Sequence, residues 1–232
     1  AYSSDEPIAP RKKVIFALSI LMGLGIPFGL IYLKEMFDDK IHSKHDIEDL
    51  SPIPVVAEIP KVERKENDLV AKNDMSPMAE AFRILITNMN FMLPKKEGGK
   101  VIYVTSSVKG EGKTFISINL ALSLASASRK TIIIGSDVRN PQLQRYDESK
   151  RGSRGLSEYL YDSDLQVNDV VNQSLMNSHC DIIYSGSIPP NPTDLLTNGR
   201  FPQMLSELRE MYDYIIVDTA PLMLVTDTFL IT

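Results

Sequence analysis

A run of 20 uncharged, mostly apolar residues, Val14 to Leu33, dominates the hydrophobicity pattern of the chain. At about 1.5 Å of rise per residue, a helix of this length spans about 30 Å, the thickness of a hydrocarbon core. A secretory signal peptide is the main alternative, because Arg11, Lys12 and Lys13 precede the run. No small-residue cleavage site follows the run, however, and it is too long for a signal-peptide core. The pattern predicts a transmembrane helix over 14–33, after a Pro-containing segment over 1–13.

A charged stretch follows this predicted span and leads into a linker. The charged stretch from Lys34 to Leu50 is expected to continue the helix out of the membrane. Prolines then break the helix, and Val55 to Ile59 predicts a short strand. We therefore expect 34–75 to be a juxtamembrane segment and linker, and 76–232 to be the main folded domain.

Short apolar runs alternate with helical periodicity in the second half of the chain. Ser76-Pro77 marks a helix start, because serine caps helices and proline fits the first turn. The predicted strands lie at 101–105, 131–134, 181–184 and 214–217, and the predicted helices at 114–127, near 155–161, near 166–173 and near 201–211. Strands that are apolar throughout are typical of a parallel sheet covered on both faces. The predicted fold class is therefore α/β, with helices on both faces of a parallel sheet.

The loop after the first of these strands has the spacing of a phosphate-binding P-loop. Glycines at 110 and 112 let the backbone N–H groups turn inward toward phosphate oxygens, and the next helix adds its positive end. Lys113 is predicted to reach the β- and γ-phosphates, and the Thr114 hydroxyl to bind Mg²⁺. This context predicts a P-loop NTPase-type site for ATP and Mg²⁺. The predicted nucleotide-binding residues here are Ser107, Val108, Lys109, Gly110, Glu111, Gly112, Lys113, Thr114 and Phe115.

Two carboxylates follow other predicted strands. Asp218 ends the apolar strand 214–217, as in a Walker B element, and Asp137 comes shortly after strand 131–134. Because parallel strands share one carboxyl edge, both side chains are expected near the phosphates, where they would hold Mg²⁺ with Thr114. Arg139 is expected to add a bidentate phosphate contact. A solvated turn with an incidental ion pair is the alternative for Asp137 and Arg139.

The composition argues against one class of partner and indicates a reducing compartment. The formal charge of −5 and the pI near 5.3 argue against nucleic acid, which usually requires a basic face. A single cysteine, Cys180, excludes an intrachain disulfide, as is usual in a reducing compartment.

These motifs together resemble the cytoplasmic domain of bacterial protein-tyrosine kinases, the polysaccharide co-polymerase kinases that govern capsule and exopolysaccharide export. The resemblance covers nearly the whole chain, from the second transmembrane helix of that family into its kinase domain. It rests on Lys113-Thr114, the segments 135–139 and 215–221, Pro7, Pro10 and Arg11-Lys12, the stretch from Asp46 to Pro60, Glu80 to Arg83, and Pro189 to Leu196.

The resemblance implies a membrane-tethered tyrosine autokinase that assembles with itself and with polysaccharide export machinery. Lys113, Asp137 and Asp218 would be catalytic, Thr114 and the two aspartates would hold Mg²⁺, and one aspartate would assist deprotonation of the incoming tyrosine. Two alternatives remain open: an ATPase switch of the septum-site or partition type, and a non-catalytic co-polymerase that uses ATP only for assembly.

The chain departs from the family pattern in several places. Gly135 stands where the family often has a further aspartate, and Ile86 stands where its oligomerisation helix often has a second arginine. The resemblance also implies further strands and a tyrosine-rich tail after Thr232, so the domain is expected to be truncated and its ATP affinity lower than that of a longer chain. Within the sequence, Tyr146, Tyr159 and Tyr161 are expected to be packed or partly buried rather than surface targets.

The compartment of the domain after the span is inferred from the nucleotide that it is predicted to bind. The basic residues before the span would place the N-terminus in the cytoplasm by the positive-inside rule. The nucleotide site lies after the span, however, and ATP and Mg²⁺ are cytoplasmic. We expect the span to lie in the bacterial cytoplasmic membrane and the kinase domain in the cytoplasm.

Overall fold

The structure is a computed structural model that describes residues 11–38, 40–62, 69–94, 98–150, 152–174, 176–223 and 227–231. The chain divides into two compact units, Ala1–Val55 and Val56–Thr232.

The first unit contains two helices, α1 (Lys12–Met36) and α2 (Lys44–Leu50). In the described part of the chain, α1 is the one helix that is long and apolar enough to cross a membrane. It includes the whole predicted span, and none of its side chains is buried. The predicted extension of this helix to Leu50 is wrong, because α1 ends at Met36. The Ser43 hydroxyl accepts a hydrogen bond from the Asp46 N–H and starts α2 as a separate helix.

The predicted strand at Val55–Ile59 is also wrong, because this segment forms no strand. The prolines at 54 and 60 bracket it and lack the N–H that a sheet ladder requires. Instead, the Asn88 side-chain amide donates a hydrogen bond of 2.8 Å to the carbonyl of Val56.

The second unit is an α/β domain with a five-stranded sheet in the order β1-β5-β2-β4-β3. The three pairings among β1, β5, β2 and β4 are parallel, as predicted, and β3 is antiparallel to β4. The strands are β1 (Lys100–Val104), β2 (Thr131–Gly135), β3 (Asn172–Gln173), β4 (Cys180–Ile183) and β5 (Tyr214–Asp218). The helices are α3 (Pro77–Met92), α4 (Lys113–Ser126), α5 (Leu156–Tyr161), α6 (Pro192–Leu196), α7 (Arg200–Met211) and α8 (Asp227–Leu230).

Two local predictions in this unit differ from the structure. The helix expected near 166–173 is a single 3₁₀ turn, Val167–Asp169, followed by β3. Residues 170 and 171 are valines, whose β-branched side chains disfavour helix, and β4 offers an edge with which β3 pairs. The sequence pattern predicts no helix near 192, but the structure has the short helix α6 there, which begins with Pro192 in the first turn.

Alternate residues of the central strands enter two separate apolar cores. Ile133 and Ile216 belong to the core that lies under α3 and α4, with Phe82, Leu120 and Leu124. The second core, on the other face, contains Ile132, Ile134, Ile215 and Val217, together with apolar residues of α5 and α7. Helices therefore cover both faces of the sheet, as the strand pattern predicted, and the strand ends are fixed between two packed layers.

Truncation of a core residue in β5 provides a test of this packing. Ile216→Ala is expected to lower the free energy of unfolding by about 2 to 5 kcal/mol, because Ile216 has no exposed surface and its loss leaves a cavity. Ile84→Ala, the same change at a residue of α3 that is 49% exposed, is expected to cost about 1 kcal/mol or less. Urea unfolding followed by tyrosine fluorescence measures both, since the chain has no tryptophan. Equal losses in the two variants would contradict the assignment of the core.

Candidate functional site

Three strands end at the same level of the sheet and define the site. Asp218 of β5 is paired with Val104 of β1 on one side and with Gly135 of β2 on the other. The loop that follows β1 is the predicted P-loop, and Asp137 follows β2. The strand register thus brings the three predicted motifs to one edge, as expected for neighbouring parallel strands.

The P-loop has the backbone that its glycines predict. Gly110 and Gly112 adopt φ values of 96° and 95°, in the left-handed region that glycine enters at little cost. Gly112 also caps α4, and no side chain caps the N–H groups of its first turn. A helix start of this kind favours an anion, because its free N–H groups and dipole are both positive.

The Glu111 carboxylate braces the beginning of the loop. It accepts hydrogen bonds from the N–H groups of Ser107 at 2.7 Å and Val108 at 3.3 Å. The Ser106 hydroxyl donates to the Val108 carbonyl at 2.9 Å. Of the predicted nucleotide-binding residues, Glu111 therefore contacts the loop's own backbone. The Lys109 side chain is exposed and forms no ion pair with the residues that the structure describes.

The side chain of Phe115 lies away from the loop. Its ring lies 6.3 Å from that of Phe82, at an interplanar angle of 58°, and packs against the core under α3 and α4. Any contact of Phe115 with phosphate would therefore come from its backbone.

Lys113 and Asp137 form an ion pair in a nearly closed environment. Lys113 Nζ lies 3.1 Å from Asp137 Oδ2, and the two side chains are 10% and 5% exposed. The other carboxylate oxygen of Asp137 accepts the N–H of Asn140 at 3.0 Å. The predicted convergence of these two motifs is therefore present in the structure.

Asp218 is the most buried carboxylate of the site, with 1% of its surface exposed. Its two oxygens accept hydrogen bonds from the hydroxyls of Thr114 at 2.8 Å and Ser117 at 3.1 Å. Burial raises the pKa of Asp218 to about 6, although Lys113 and the two hydroxyls act in the opposite direction; the charge of Asp137 adds to the rise. A carboxylate with this pKa is poised for a cation that would replace its lost hydration.

The oxygen atoms around Asp218 suit Mg²⁺. No group of three or more His, Cys, Asp or Glu residues that could hold a metal occurs among the described residues. Nucleotide-bound Mg²⁺ does not require such a group, because it usually uses one or two carboxylates together with the phosphates and water. Thr114 and Asp218, which are already in contact, fit that requirement, and Asp137 lies on the neighbouring strand end.

Arg139 belongs to the same edge, but its described contact is with α6. Its guanidinium donates to the Thr193 hydroxyl at 3.1 Å.

Gly135 has a packing role. A Cβ atom at this position would lie 2.7 Å from Ser185 Oγ and 3.1 Å from Leu143 Cδ1, so a larger residue would collide with the neighbouring strand end.

Two hydroxyl residues of the site, Ser117 and Ser136, are not among the residues that the sequence motifs predict. Ser117 shares the Asp218 carboxylate with Thr114, and Ser136 donates from both its N–H and its hydroxyl to the Asp218 carbonyl at 2.9 Å. The spacing of Ser117, three residues after Thr114 on one helix face, was the available signal. Only the strand register shows that Ser136 lies beside Asp218.

Known proteins are similar to this chain over the residues that form the site. A family model described as an AAA domain matches residues 99–232. The chain is 39% identical to the tyrosine-protein kinase CpsD of Streptococcus pneumoniae over 153 residues, which cover 66% of this chain and 65% of that protein. It is 29% identical to the tyrosine-protein kinase etk of Escherichia coli (strain K12) over 249 residues, which cover 98% of this chain and 34% of that protein.

A solved structure shows the same fold. The kinase domain of Escherichia coli tyrosine kinase ETK matches with a TM-score of 0.73 and 28% identity, over 83% of this chain and 78% of that one. The chain spans about a third of the length of the E. coli relative. The AAA-domain match includes the P-loop, Asp137 and Asp218, and it extends over more than half of the chain. The chain therefore belongs to the AAA-domain family, and its relatives are bacterial tyrosine-protein kinases, as its motifs predicted.

Proposed function

We propose that this protein is a membrane-tethered, ATP-dependent protein-tyrosine autokinase. The observation that carries the proposal is the meeting of Lys113, Asp137, Thr114 and Asp218 at one sheet edge, in a chain whose relatives are tyrosine kinases.

The site residues have separate roles in this proposal. The N–H groups of the loop and of the start of α4 bind the phosphates of ATP, and Lys113 moves from Asp137 to the transferring phosphoryl group. Thr114 and Asp218 would hold Mg²⁺, with Asp137 directly or through water, and the bound ion would neutralise charge on the phosphates of ATP. Arg139 adds a bidentate phosphate contact. Catalysis of this kind consists mainly of positioning and charge neutralisation.

Asp137 is the better placed of the two aspartates to take the proton of an incoming tyrosine. Both oxygens of Asp218 already accept hydrogen bonds from hydroxyls at the start of α4, in a buried position. Asp137 is held by one backbone N–H and by Lys113, and it becomes available when Lys113 turns to the phosphate. Proton transfer needs direct contact or one bridging water.

The partners follow from the same resemblance. We propose a homo-oligomer in which one copy phosphorylates tyrosines of another, associated with polysaccharide export machinery. α1 provides the contact with the lipid bilayer, in the bacterial cytoplasmic membrane. On α3, Glu80 and Arg83 form an exposed ion pair of 2.9 Å, whereas Ile86 packs against the apolar core. Self-association through α3 would therefore use Glu80 and Arg83 without a second arginine at 86.

The reaction product separates this proposal from the two alternatives. The full chain in detergent, incubated with labelled ATP and Mg²⁺, is expected to form phosphotyrosine. Free phosphate without phosphotyrosine would indicate an ATPase switch, and ATP binding without either product would indicate a non-catalytic assembly protein. Either result would overturn the proposed function.

Replacement of the site lysine tests the assigned chemistry. Lys113→Met is expected to reduce phosphotyrosine formation by at least about a hundredfold, because the transferring phosphoryl group loses its nearest cation. Lys109→Met, the same substitution at an exposed position of the same loop, is expected to cost far less. If Lys113→Met formed phosphotyrosine at the normal rate, or if both variants lost the same activity, the phosphates would have to bind elsewhere.

The raised pKa of Asp218 predicts how binding depends on pH. At neutral pH the carboxylate is ionised and ready for Mg²⁺; as the pH falls through about 6, Asp218 takes up a proton that competes with the metal. The affinity for Mg²⁺ and ATP is therefore expected to fall below pH 6, by up to about tenfold per pH unit.

Two serines of α4 provide the matched comparison. Ser117→Ala removes a hydrogen bond that favours the ionised form, so the fall in affinity is expected to begin at a higher pH. Ser123→Ala alters a buried hydroxyl that has no partner among the described residues, and it is expected to leave the pH profile in place. Calorimetric titrations between pH 5 and 8 measure the affinity for Mg²⁺ and ATP in each variant. If the affinity of Ser117→Ala fell at the same pH as that of the unmodified protein, the role of Asp218 would be contradicted.

A further inference from the structure

Tyr161, the last residue of α5, is 83% exposed. The expectation that this tyrosine is packed or partly buried is therefore wrong, whereas it is confirmed for Tyr159, which is 1% exposed, and for Tyr146, which is half-buried. The two α5 tyrosines are two positions apart on a helix, so they lie on opposite sides. Tyr159 enters the core, and Tyr161 consequently lies in solvent.

No other tyrosine of the second unit has this exposure. The unit contains seven tyrosines, all in described residues, and the other six are buried or half-buried. Four of these six use the hydroxyl internally: Tyr103 donates to the Ile231 carbonyl at 2.6 Å, Tyr212 to Asp181 at 2.7 Å, Tyr214 to Asn90 at 2.8 Å, and Tyr184 to Asp147 at 3.5 Å. The Tyr161 hydroxyl has no hydrogen-bond partner among the described residues, so it is free to react.

The backbone that carries Tyr161 is held firmly. At the start of α5, the N–H of Leu156 donates to the carbonyl of Tyr184 at 2.8 Å. At its end, the Asn198 side chain donates to the Leu160 carbonyl at 2.7 Å. Arg200 continues this anchoring: its guanidinium donates to the Ser163 carbonyl at 3.0 Å and lies 4.2 Å from the Tyr159 ring centroid. Tyr161 is therefore an exposed phenol on a fixed base.

We propose that Tyr161 is a phosphate acceptor, modified by the site of a second copy of this chain. The inference rests on the proposed kinase function. The phenol oxygen of Tyr161 attacks the γ-phosphorus of ATP bound in the other copy, and the bond between that phosphorus and the β,γ-bridging oxygen breaks. The phenol proton passes to Asp137 of the second copy and then to solvent, leaving phosphotyrosine and ADP.

The anchoring of α5 is the reason for transfer between copies. Tyr161 directly follows Tyr159 and Leu160, both of which belong to the apolar core, so any movement of its backbone toward the site of the same copy would disturb that core. An exposed ring presented to another molecule carries no such cost. The acceptor that this geometry selects is thus the tyrosine whose modification breaks no internal contact.

A mixing experiment tests the inference directly. Full-length Lys113→Met protein, tagged and inactive, serves as acceptor for the active protein in the presence of ATP and Mg²⁺. Mass spectrometry then locates the phosphate on the re-isolated acceptor. No lysine or arginine lies between Arg154 and Arg200, so trypsin leaves Tyr159, Tyr161 and Tyr184 in one peptide. Fragmentation of that peptide is needed to distinguish them, because it separates phosphate on Tyr161 from phosphate on Tyr159 or Tyr184.

The expected result is phosphate on Tyr161 of the inactive copy, and its absence when the acceptor also carries Tyr161→Phe. An acceptor with Tyr159→Phe instead is the matched control and should retain the label. Phosphotyrosine at other positions with Tyr161 unmodified would overturn this inference and leave the kinase function standing. Label on Tyr161 of the active copy alone would overturn transfer between copies. Absence of phosphotyrosine anywhere would overturn the proposed function, and this inference with it.

Discussion

The site depends on one buried carboxylate. Asp218 lies at the end of a central strand with 1% of its surface exposed, and it is stabilised by hydroxyls from the helix that follows the P-loop. Those hydrogen bonds connect β5 to the first turn of α4 and so fix the loop between β1 and α4. Because burial of a charge is unfavourable without compensation, this arrangement is most stable when a cation is near, which is the condition that a Mg²⁺–nucleotide site requires.

The remainder of the domain holds that carboxylate in place. β5 lies between β1 and β2, so the P-loop and Asp137 flank Asp218 on its two sides. Packed cores on both faces of the sheet prevent the strands from sliding relative to one another. The ion pair of Lys113 with Asp137 places two opposite charges near Asp218 at the same sheet edge. A fold that is stable for ordinary hydrophobic reasons thereby positions four polar groups for phosphate chemistry.

Features that depend on a local sequence pattern could be predicted from the sequence. Apolar runs predicted the parallel strands, and the glycine spacing predicted the loop, since Gly110 and Gly112 do adopt positive φ. Features set by long-range pairing were not accessible: β3 exists because β4 offers an edge, and Ser136 lies beside Asp218 only through the strand register. The packing of Gly135 against Ser185 is of the same kind. The exposure of Tyr161 likewise follows from which side of α5 enters the core.

A crystal structure of the protein with Mg²⁺ and a non-hydrolysable ATP analogue is the most direct test of the central claim. Mg²⁺ is expected at about 2.0 to 2.1 Å from Thr114 Oγ1, with Asp218 as a ligand or one water away, and Lys113 Nζ is expected to contact the terminal phosphates. A triphosphate bound away from this sheet edge, or a metal without contact to Thr114 and Asp218, would contradict it.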